Sequence, residues 1–295
     1  MRIAVTGSRG QIVRALLERA AAYDAEILPV GRPHLDLADP ATIIGALESL
    51  APEVIVNAGA YTAVDAAESE EPLAQQINGV GAGKVADAAN RLGVPVIQFS
   101  TGYVFDGAHG RAYREADAAE PINAYGRSKL SGEQAVQKAM RRHVILRTAW
   151  VYSPFGTNFV RTMLRLGETQ NHVRVVADQF GQPSSALDIA DGVLTICAKL
   201  KGHPDEQRLF GIFHMAGSGE TCWADFATAI FAEAERCGRP RVVVAPITSE
   251  QYAAAARRPK NARLDTRKLD EIYGVALPSW RDSLPAVVAR LLQIG

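Results

Sequence analysis

Along the first half of the chain, short continuous apolar runs recur between longer stretches whose apolar residues fall at helical spacing. The runs are Ile3-Ala4-Val5, Ile27-Leu28-Pro29-Val30, Val54-Ile55-Val56, Val94-Pro95-Val96-Ile97 and Val144-Ile145-Leu146. Runs of this kind fit strands that are covered on both faces. The stretch after Gly10, residues 41–50 and residues 72–92 read as the intervening helices. Strand–helix alternation predicts an α/β fold built on a doubly wound parallel sheet. Asp39-Pro40 marks one helix start, with the aspartate as N-cap and the proline at the first helical position. The strand over residues 53–60 is expected to continue through Tyr61–Glu68.

After Trp150 the rhythm changes. Asn158–Leu166 reads as a helix, Val173–Val176 as a strand leading to a turn at Pro183, and residues 185–201 as a helix again. Short strands follow at Gly211–Met215 and Arg241–Ala245. The expected organisation is a ligand-binding unit over residues 1–150, with crossovers back to it at roughly 178–205. Residues 151–295 then form mainly a smaller C-terminal lobe.

Composition narrows the function classes. Hydrophobic residues make up 47% and charged residues 22%, as in ordinary globular proteins. Lys+Arg and Asp+Glu both total 32, so no basic nucleic-acid surface or acidic tail is indicated. Cys197, Cys222 and Cys237 are scattered and odd in number, which fits a reducing compartment. No apolar run reaches membrane-spanning length, and the N-terminus runs straight into a strand pattern rather than an export signal. A cytoplasmic protein is expected.

Three features carry candidate chemistry. The first is Thr6-Gly7-Ser8-Arg9-Gly10-Gln11-Ile12-Val13, a glycine turn between the first strand and the first helix. A tight turn at Gly7, close backbone approach at Gly10 and a helix N-terminus suit a pyrophosphate. Val13 stands where the dinucleotide fingerprint has Gly or Ala for close helix packing, a departure expected to push the helix outward. The second is Gly31-Arg32 after the second strand. An acidic residue there would bind ribose hydroxyls, whereas Arg32 suits a 2′-phosphate or is a solvated loop arginine. The third is Tyr125 with Lys129, one helical turn apart. A lysine ammonium beside a phenol favours the phenolate, which would lower the Tyr125 pKa and make it a proton donor or acceptor. The Tyr-x-x-x-Lys spacing alone also occurs on many surface helices. Thr101 sits at a strand's carboxyl end, where open α/β sheets place their ligands.

Taken together, these segments resemble the extended short-chain dehydrogenase/reductases and, within them, the dTDP-4-dehydrorhamnose reductase family. The resemblance runs nearly end to end. It rests on Thr6-Gly7-x-x-Gly10-Gln11, Leu35-Asp36-Leu37, Asn57-Ala58 with Ala60–Asp65, and Ser100-Thr101 with Tyr103–Gly107. It continues through Tyr125-Gly126-x-Ser128-Lys129-Leu130-x-Gly132-Glu133, Arg147-Thr148-x-Trp150-Val151-Tyr152 and Asn158-Phe159-Val160. Asp178-Gln179-x-Gly181-x-Pro183, Trp223-x-x-Phe226-Ala227 and Arg258-Pro259 complete it.

The resemblance implies a Rossmann-type dinucleotide-binding domain followed by a substrate-binding lobe, NADPH as cofactor with NADH also accepted, and a nucleotide-linked ketosugar as substrate. It implies that Gly10, Gln11 and Ile12 hold the pyrophosphate, that Asp36 and Leu37 flank the adenine, and that Ala60, Tyr61 and Thr62 line the cofactor. It further implies Tyr125 as proton donor, Lys129 as its partner on the nicotinamide ribose, Thr101 as the hydroxyl that meets the substrate carbonyl, and Trp150 as a substrate contact. Gly102 departs from the family, which usually has Asp there, and so bears on which sugar is accepted. Two alternatives stay open: a reductase of a different nucleotide deoxysugar, and a non-catalytic subunit like the regulatory subunit of methionine adenosyltransferase. Some family members pair as dimers through a metal-assisted interface; a homodimer is possible on this resemblance, and no metal ligands are assigned.

Overall fold

The computed structural model describes residues 1–293. The first half runs β1 (Arg2–Thr6), α1 (Gln11–Arg19), β2 (Glu26–Val30), α2 (Ile43–Glu48), β3 (Val54–Asn57), α3 (Glu71–Gln75), α4 (Ala82–Leu92), β4 (Val96–Thr101), α5 (Ala124–Ala139) and β5 (His143–Thr148). Then follow β6 (Val151–Tyr152), α6 (Phe159–Gly167), β7 (His172–Val176), β8 (Phe180–Gly181), β9 (Ser184–Ser185), α7 (Ala186–Gly202) and β10 (Gly211–His214). The chain closes with β11 (Thr221–Cys222), α8 (Trp223–Arg236), β12 (Val243–Ile247), α9 (Ser249–Tyr252), α10 (Arg267–Tyr273) and α11 (Trp280–Gln293).

The main sheet has six strands in the order β10-β5-β4-β3-β1-β2, and every neighbouring pair is parallel. The order reverses beside β1, so the carboxyl ends of β1 and β3 splay helices to opposite faces and leave a crevice between them. The central strands β3 and β4 are buried at every residue, which is why their sequence reads as unbroken apolar runs. One face of the sheet packs on α1 and α7 through Val13, Leu16, Ile189 and Val193. The other packs on α2, α4 and α5 through Ile43, Leu47, Val85 and Val136. A separate core gathers α6, α8 and α11 around Phe226, Ile230, Trp280 and Val288. The sixth strand, β10, lies beyond the crossover segment expected near 178–205 and returns a later part of the chain to the sheet edge.

Several expectations hold and three change. Asp39 caps its helix by accepting from the Ala41 amide, and Asn158 likewise caps α6 by accepting from Arg161. Tyr61–Glu68 does not extend β3. It leaves the sheet as a loop, because Asn78 takes its backbone: the Tyr61 amide donates to Asn78 Oδ1 at 2.9 Å and Asn78 Nδ2 donates to the Tyr61 carbonyl at 3.0 Å. Residues 72–92 are not one regular helix. A π-helical segment, Gln76–Gly81, interrupts it. The widened turn lets Gly81 face the Leu37 carbonyl so closely that an added Cβ would lie 2.5 Å from that oxygen. The late strand is Val243–Ile247, two residues on from the expected position, where it pairs with β7 in parallel. Among the described residues no helix is long and apolar enough to cross a membrane.

Candidate active site

The site is built at the carboxyl ends of β1 to β4. At β1 the chain turns through Gly7, whose φ of +96° is a conformation that favours glycine. Gly31, just after β2, lies against this turn, with its Cβ position 3.3 Å from Gly7 Cα. Gly10 then opens α1 with extended backbone, no side-chain cap and no acidic residue in the first turn. The first amide groups of α1 are thus free for an anion. Val13 packs behind this turn. It is 1% exposed, and the absence of side chains at Gly7 and Gly10 gives its Cγ2 the room it needs.

Leu37 is buried and covers Gly59, where an added Cβ would lie 2.8 Å from Leu37 Cδ1. Asp36 turns back to its own loop, its Oδ1 accepting from the Ala38 amide at 2.9 Å. Ala60, Tyr61 and Thr62 form the loop that leaves β3, with Thr62 exposed. Gly7, Gly31, Leu37 and Gly59 therefore lie together at the ends of β1, β2 and β3, with Ala60, Tyr61 and Thr62 following in the chain. Two predicted residues point elsewhere. The Gln11 carboxamide oxygen accepts from Ser153 Oγ at 2.8 Å and Asn158 Nδ2 at 3.1 Å, so it ties the glycine turn to the segment before α6. Ile12 is half-buried against the core behind the turn. Arg32 is exposed in the turn after β2.

A chain of buried polar groups runs beneath the crevice. Thr6 Oγ1 donates to Asn57 Oδ1 at 2.5 Å, Asn57 Nδ2 to Gln98 Oε1 at 2.6 Å, and Gln98 Nε2 to the Phe99 carbonyl at 2.7 Å. That same carbonyl accepts from Lys129 Nζ at 2.7 Å. The adjoining strand ends are thus fixed to one another and to the candidate lysine.

Asn123 starts α5: its Oδ1 accepts from the Gly126 amide at 2.7 Å, while its Nδ2 donates to the Arg257 carbonyl at 2.8 Å. Gly126 and Gly132 let the helix press close, since an added Cβ would meet the Tyr103 carbonyl oxygen at 2.2 Å and the Asn78 carbonyl oxygen at 2.1 Å. Asn78 also donates to Ser128 Oγ at 2.9 Å, which clamps α5 to the loop carrying Tyr61. On this helix Tyr125 faces the Thr101 hydroxyl and meets Tyr103 edge-on, with centroids 6.3 Å apart.

The charge balance at the pair differs from the expectation that Lys129 lowers Tyr125. Burial pushes the Tyr125 phenol up to about 12, against a lowering by the Thr101 hydroxyl and a further rise from Tyr103. Lys129 is 4% exposed, and burial pulls it down to about 8 while Glu133 pushes it back up. The physical reason is position: the ammonium is turned to the Phe99 carbonyl, and desolvation outweighs the remaining attraction. Tyr125 is consequently protonated at neutral pH, which is the state a proton donor needs.

The far wall comes from the C-terminal half. Trp150 has an αL-type φ of +45° and stacks on Trp223 at 3.6 Å between centroids and 13° between planes. Gly181 also lies against this ring, where an added Cβ would lie 2.6 Å from Trp150 Cε2. Gly102 is buried under the segment that carries Ala262 and Leu264, with the Ala262 carbonyl oxygen 3.2 Å from a Cβ position. Arg258 spans from this segment to the Tyr61 loop by a two-point pair with Asp65 at 3.0 and 2.7 Å. Sequence reading missed Asn78, Asn123 and Arg258 as organisers of the site; only Asn123 carried a local signal, an N-cap residue directly before the helix.

The chain is similar to known proteins along nearly its whole length. A family model described as RmlD substrate binding domain matches residues 1–293. A dTDP-4-dehydrorhamnose reductase of Sinorhizobium fredii is 48% identical over 295 residues, covering 100% of this chain and 99% of its own. That of Escherichia coli K12 is 40% identical over 83% of this chain and 82% of its own. Among solved structures, a dTDP-4-dehydrorhamnose reductase of Bacillus anthracis in complex with NADP matches with a TM-score of 0.90 at 34% identity, covering 98% of each chain. One from Clostridium acetobutylicum matches with a TM-score of 0.89 at 36% identity, covering 99% of this chain and 100% of its own. Matched along nearly its whole length by the family model and by these relatives, the chain belongs to the RmlD substrate-binding family, that of the dTDP-4-dehydrorhamnose reductases.

Proposed function

We propose that this chain is an NADPH-dependent reductase of the 4-keto group of a nucleotide-linked deoxysugar, converting dTDP-4-dehydrorhamnose to dTDP-L-rhamnose. The observation that carries this reading is the 48% identity, end to end, with a dTDP-4-dehydrorhamnose reductase. The site supports it, since Thr101, Tyr125 and Lys129 stand together beside a crevice suited to a dinucleotide. The free first turn of α1 and the glycine contacts at Gly7, Gly31 and Gly59 fit a pyrophosphate and the ribose next to it. Gly7, Gly10, Arg32, Asp36, Leu37, Ala60, Tyr61 and Thr62, with Gln11 and Ile12 through their backbone amides at the start of α1, are the residues we assign to that cofactor. Residues 1–150, with the later crossovers, serve as the dinucleotide-binding unit, and the remainder mainly as the lobe that receives the sugar.

A bound reduced nicotinamide supplies the hydride. Tyr125 holds the proton that the carbonyl oxygen takes up, and desolvation pushes its phenol further above neutral pH, to about 12. The Thr101 hydroxyl, beside Tyr125, gives that oxygen a second hydrogen bond as negative charge develops. Lys129 supplies the positive charge that the resulting phenolate needs. Trp150, packed against Trp223 and Gly181, forms a rigid wall for the sugar.

The test is oxidation of NADPH by the purified chain with dTDP-4-dehydrorhamnose, with the product identified by NMR. Absence of turnover with this substrate alongside turnover of another nucleotide ketosugar would replace the reading by a second one. That second reading, a reductase of a different deoxysugar, is favoured by one observation: Gly102 offers no carboxylate, and the Ala262 carbonyl fills part of the space a side chain there would need.

A further inference from the structure

Glu133 is 2% exposed and stands one turn beyond Lys129 on α5. Its Oε1 accepts from the Ser100 hydroxyl at 2.5 Å and from Arg147 Nε at 2.9 Å, and its Oε2 accepts from Arg147 Nη2 at 2.7 Å. Arg147 is 3% exposed, and its guanidinium lies 5.0 Å from the centroid of the Phe105 ring. A buried pair of this kind is a poor device for stability alone, because apolar residues of equal volume often serve as well.

Its position suggests another use. Three consecutive residues of β4 meet three successive turns of α5. Thr101 adjoins Tyr125, the Phe99 carbonyl accepts from Lys129, and Ser100 donates to Glu133. Two of these three contacts involve the groups assigned to proton donation. The third shares their strand and their helix face.

We propose that Glu133 is a positioning residue of the proton-donating site: held by Ser100 and Arg147, its carboxylate sets the register of β4 against α5 and keeps the Lys129 ammonium charged. The proposal rests on the reductase reading above and extends it to a residue that touches neither substrate nor cofactor. Its oxygens are taken by Ser100 and Arg147, and among the described residues it forms no direct ion pair with Lys129, so it acts by its field and through the strand. The titratable and charged groups around Lys129 are Tyr125 and Glu133 on its own helix and Arg147 from β5. Strand β4 presents no charged group, only the Phe99 carbonyl, the Gln98 carboxamide and the Ser100 and Thr101 hydroxyls. Burial disfavours the ammonium and Glu133 is the group that opposes it.

The test reads the Lys129 charge without turnover. The Lys129 side-chain carbon is followed by NMR through a pH titration of the full chain labelled with ¹³C-lysine, with the resonance assigned by its loss in Lys129→Met. Glu133→Gln is expected to lower the midpoint by about two pH units, the size one charge a helical turn (about 6 Å) away produces at an effective dielectric constant near 20. The alkaline limb of kcat should move by the same amount, and Glu133→Asp should restore most of it. Should Glu133→Gln leave Arg147 too poorly compensated to fold, Glu133→Gln/Arg147→Met removes both charges and should shift the midpoint the same way by less. A midpoint at the native pH in a folded variant, as judged by circular dichroism and thermal unfolding, would make Glu133 a purely structural partner of Arg147 and overturn the proposal. Because the midpoint needs no substrate, a chain that turned over no ketosugar would defeat the reductase reading separately.

Discussion

The Lys129 ammonium donates to the Phe99 carbonyl at 2.7 Å, two residues before Thr101 on the same strand. Gln98 Nε2 donates to that carbonyl as well, at 2.7 Å. The lysine is thereby anchored to the sheet rather than to the phenol it serves. A buried ammonium with one neutral acceptor is easily deprotonated, and the site therefore has a built-in upper pH limit.

Turnover should fall as pH rises through about 8, because Lys129 is pulled down to about 8 by burial and the cation is lost above that value. Below it the cation is present and the Tyr125 phenol, pushed up to about 12, stays protonated. A pH profile of kcat with NADPH checks this, and a flat profile to pH well above 8 would contradict the assignment of the limb to Lys129. The same shift has a stability consequence. Below about 8 both states carry the proton and the buried cation opposes folding; between about 8 and the ordinary lysine value of 10.5 only the unfolded chain keeps it, so stability rises with pH through that window. Lys129→Met is accordingly expected to lose turnover while unfolding at a temperature no lower than the native chain.

Tyr125→Phe removes the proton donor and leaves the ring. The loss expected is about 10²–10⁴-fold in kcat, the usual size for a positioned general acid. NADPH affinity should be nearly unchanged, because the glycine turn and the loop carrying Tyr61 do not depend on that hydroxyl. Fluorescence titration with NADPH and steady-state kinetics separate the two effects. Near-native kcat at neutral pH would remove Tyr125 from its role.

What the sequence disclosed and what it hid follow from how far each interaction reaches. The central strands were legible because burial on both faces leaves an unbroken apolar run. Asp39 marked a helix start because a cap is a contact within three residues. Tyr61–Glu68 misled because its apolar content resembles a strand, whereas its backbone partner is the Asn78 side chain, 17 residues on. The π-helical segment was hidden because the group it packs against at Gly81, the Leu37 carbonyl, lies far back in the chain. The Tyr125–Lys129 spacing was visible, but its electrostatics were not. Whether the lysine lowers the phenol depends on where Nζ points, and that is set by a carbonyl 30 residues earlier.

Trp150 offers a test of the sugar-facing wall. Gly181→Ala would place a methyl group about where the Trp150 ring now lies, since the Cβ position is 2.6 Å from Cε2. Trp223, stacked on the ring at 3.6 Å, limits how far it can move aside. Overpacking of this sort typically costs about 1–3 kcal/mol. The variant should unfold at a lower temperature, and its KM for the nucleotide sugar should rise more than its KM for NADPH. Equal increases in both would place Trp150 outside the sugar site.

The last prediction concerns cofactor choice and Arg32. Strand β2 ends at Val30, and Gly31 packs on the Gly7 turn with its Cβ position 3.3 Å from Gly7 Cα, so Arg32 leaves the sheet directly beside the crevice. It is exposed, and the residue at this point in NAD-selective folds would be acidic. Asp36 does not take that place, because its carboxylate is turned to the Ala38 amide. Nothing there repels a 2′-phosphate, and a guanidinium hydrogen bond to one contributes about 1.5–3 kcal/mol when well placed. Tenfold in preference needs only about 1.4 kcal/mol. NADPH should therefore be preferred over NADH with both accepted, and Arg32→Ala should cut the ratio of their kcat/KM values by about tenfold or more. The loss should appear in KM for NADPH and leave NADH kinetics nearly untouched, since NADH has no group for Arg32 to hold. An unchanged ratio in Arg32→Ala would show that the arginine is a solvated loop residue and that the preference arises elsewhere in the crevice.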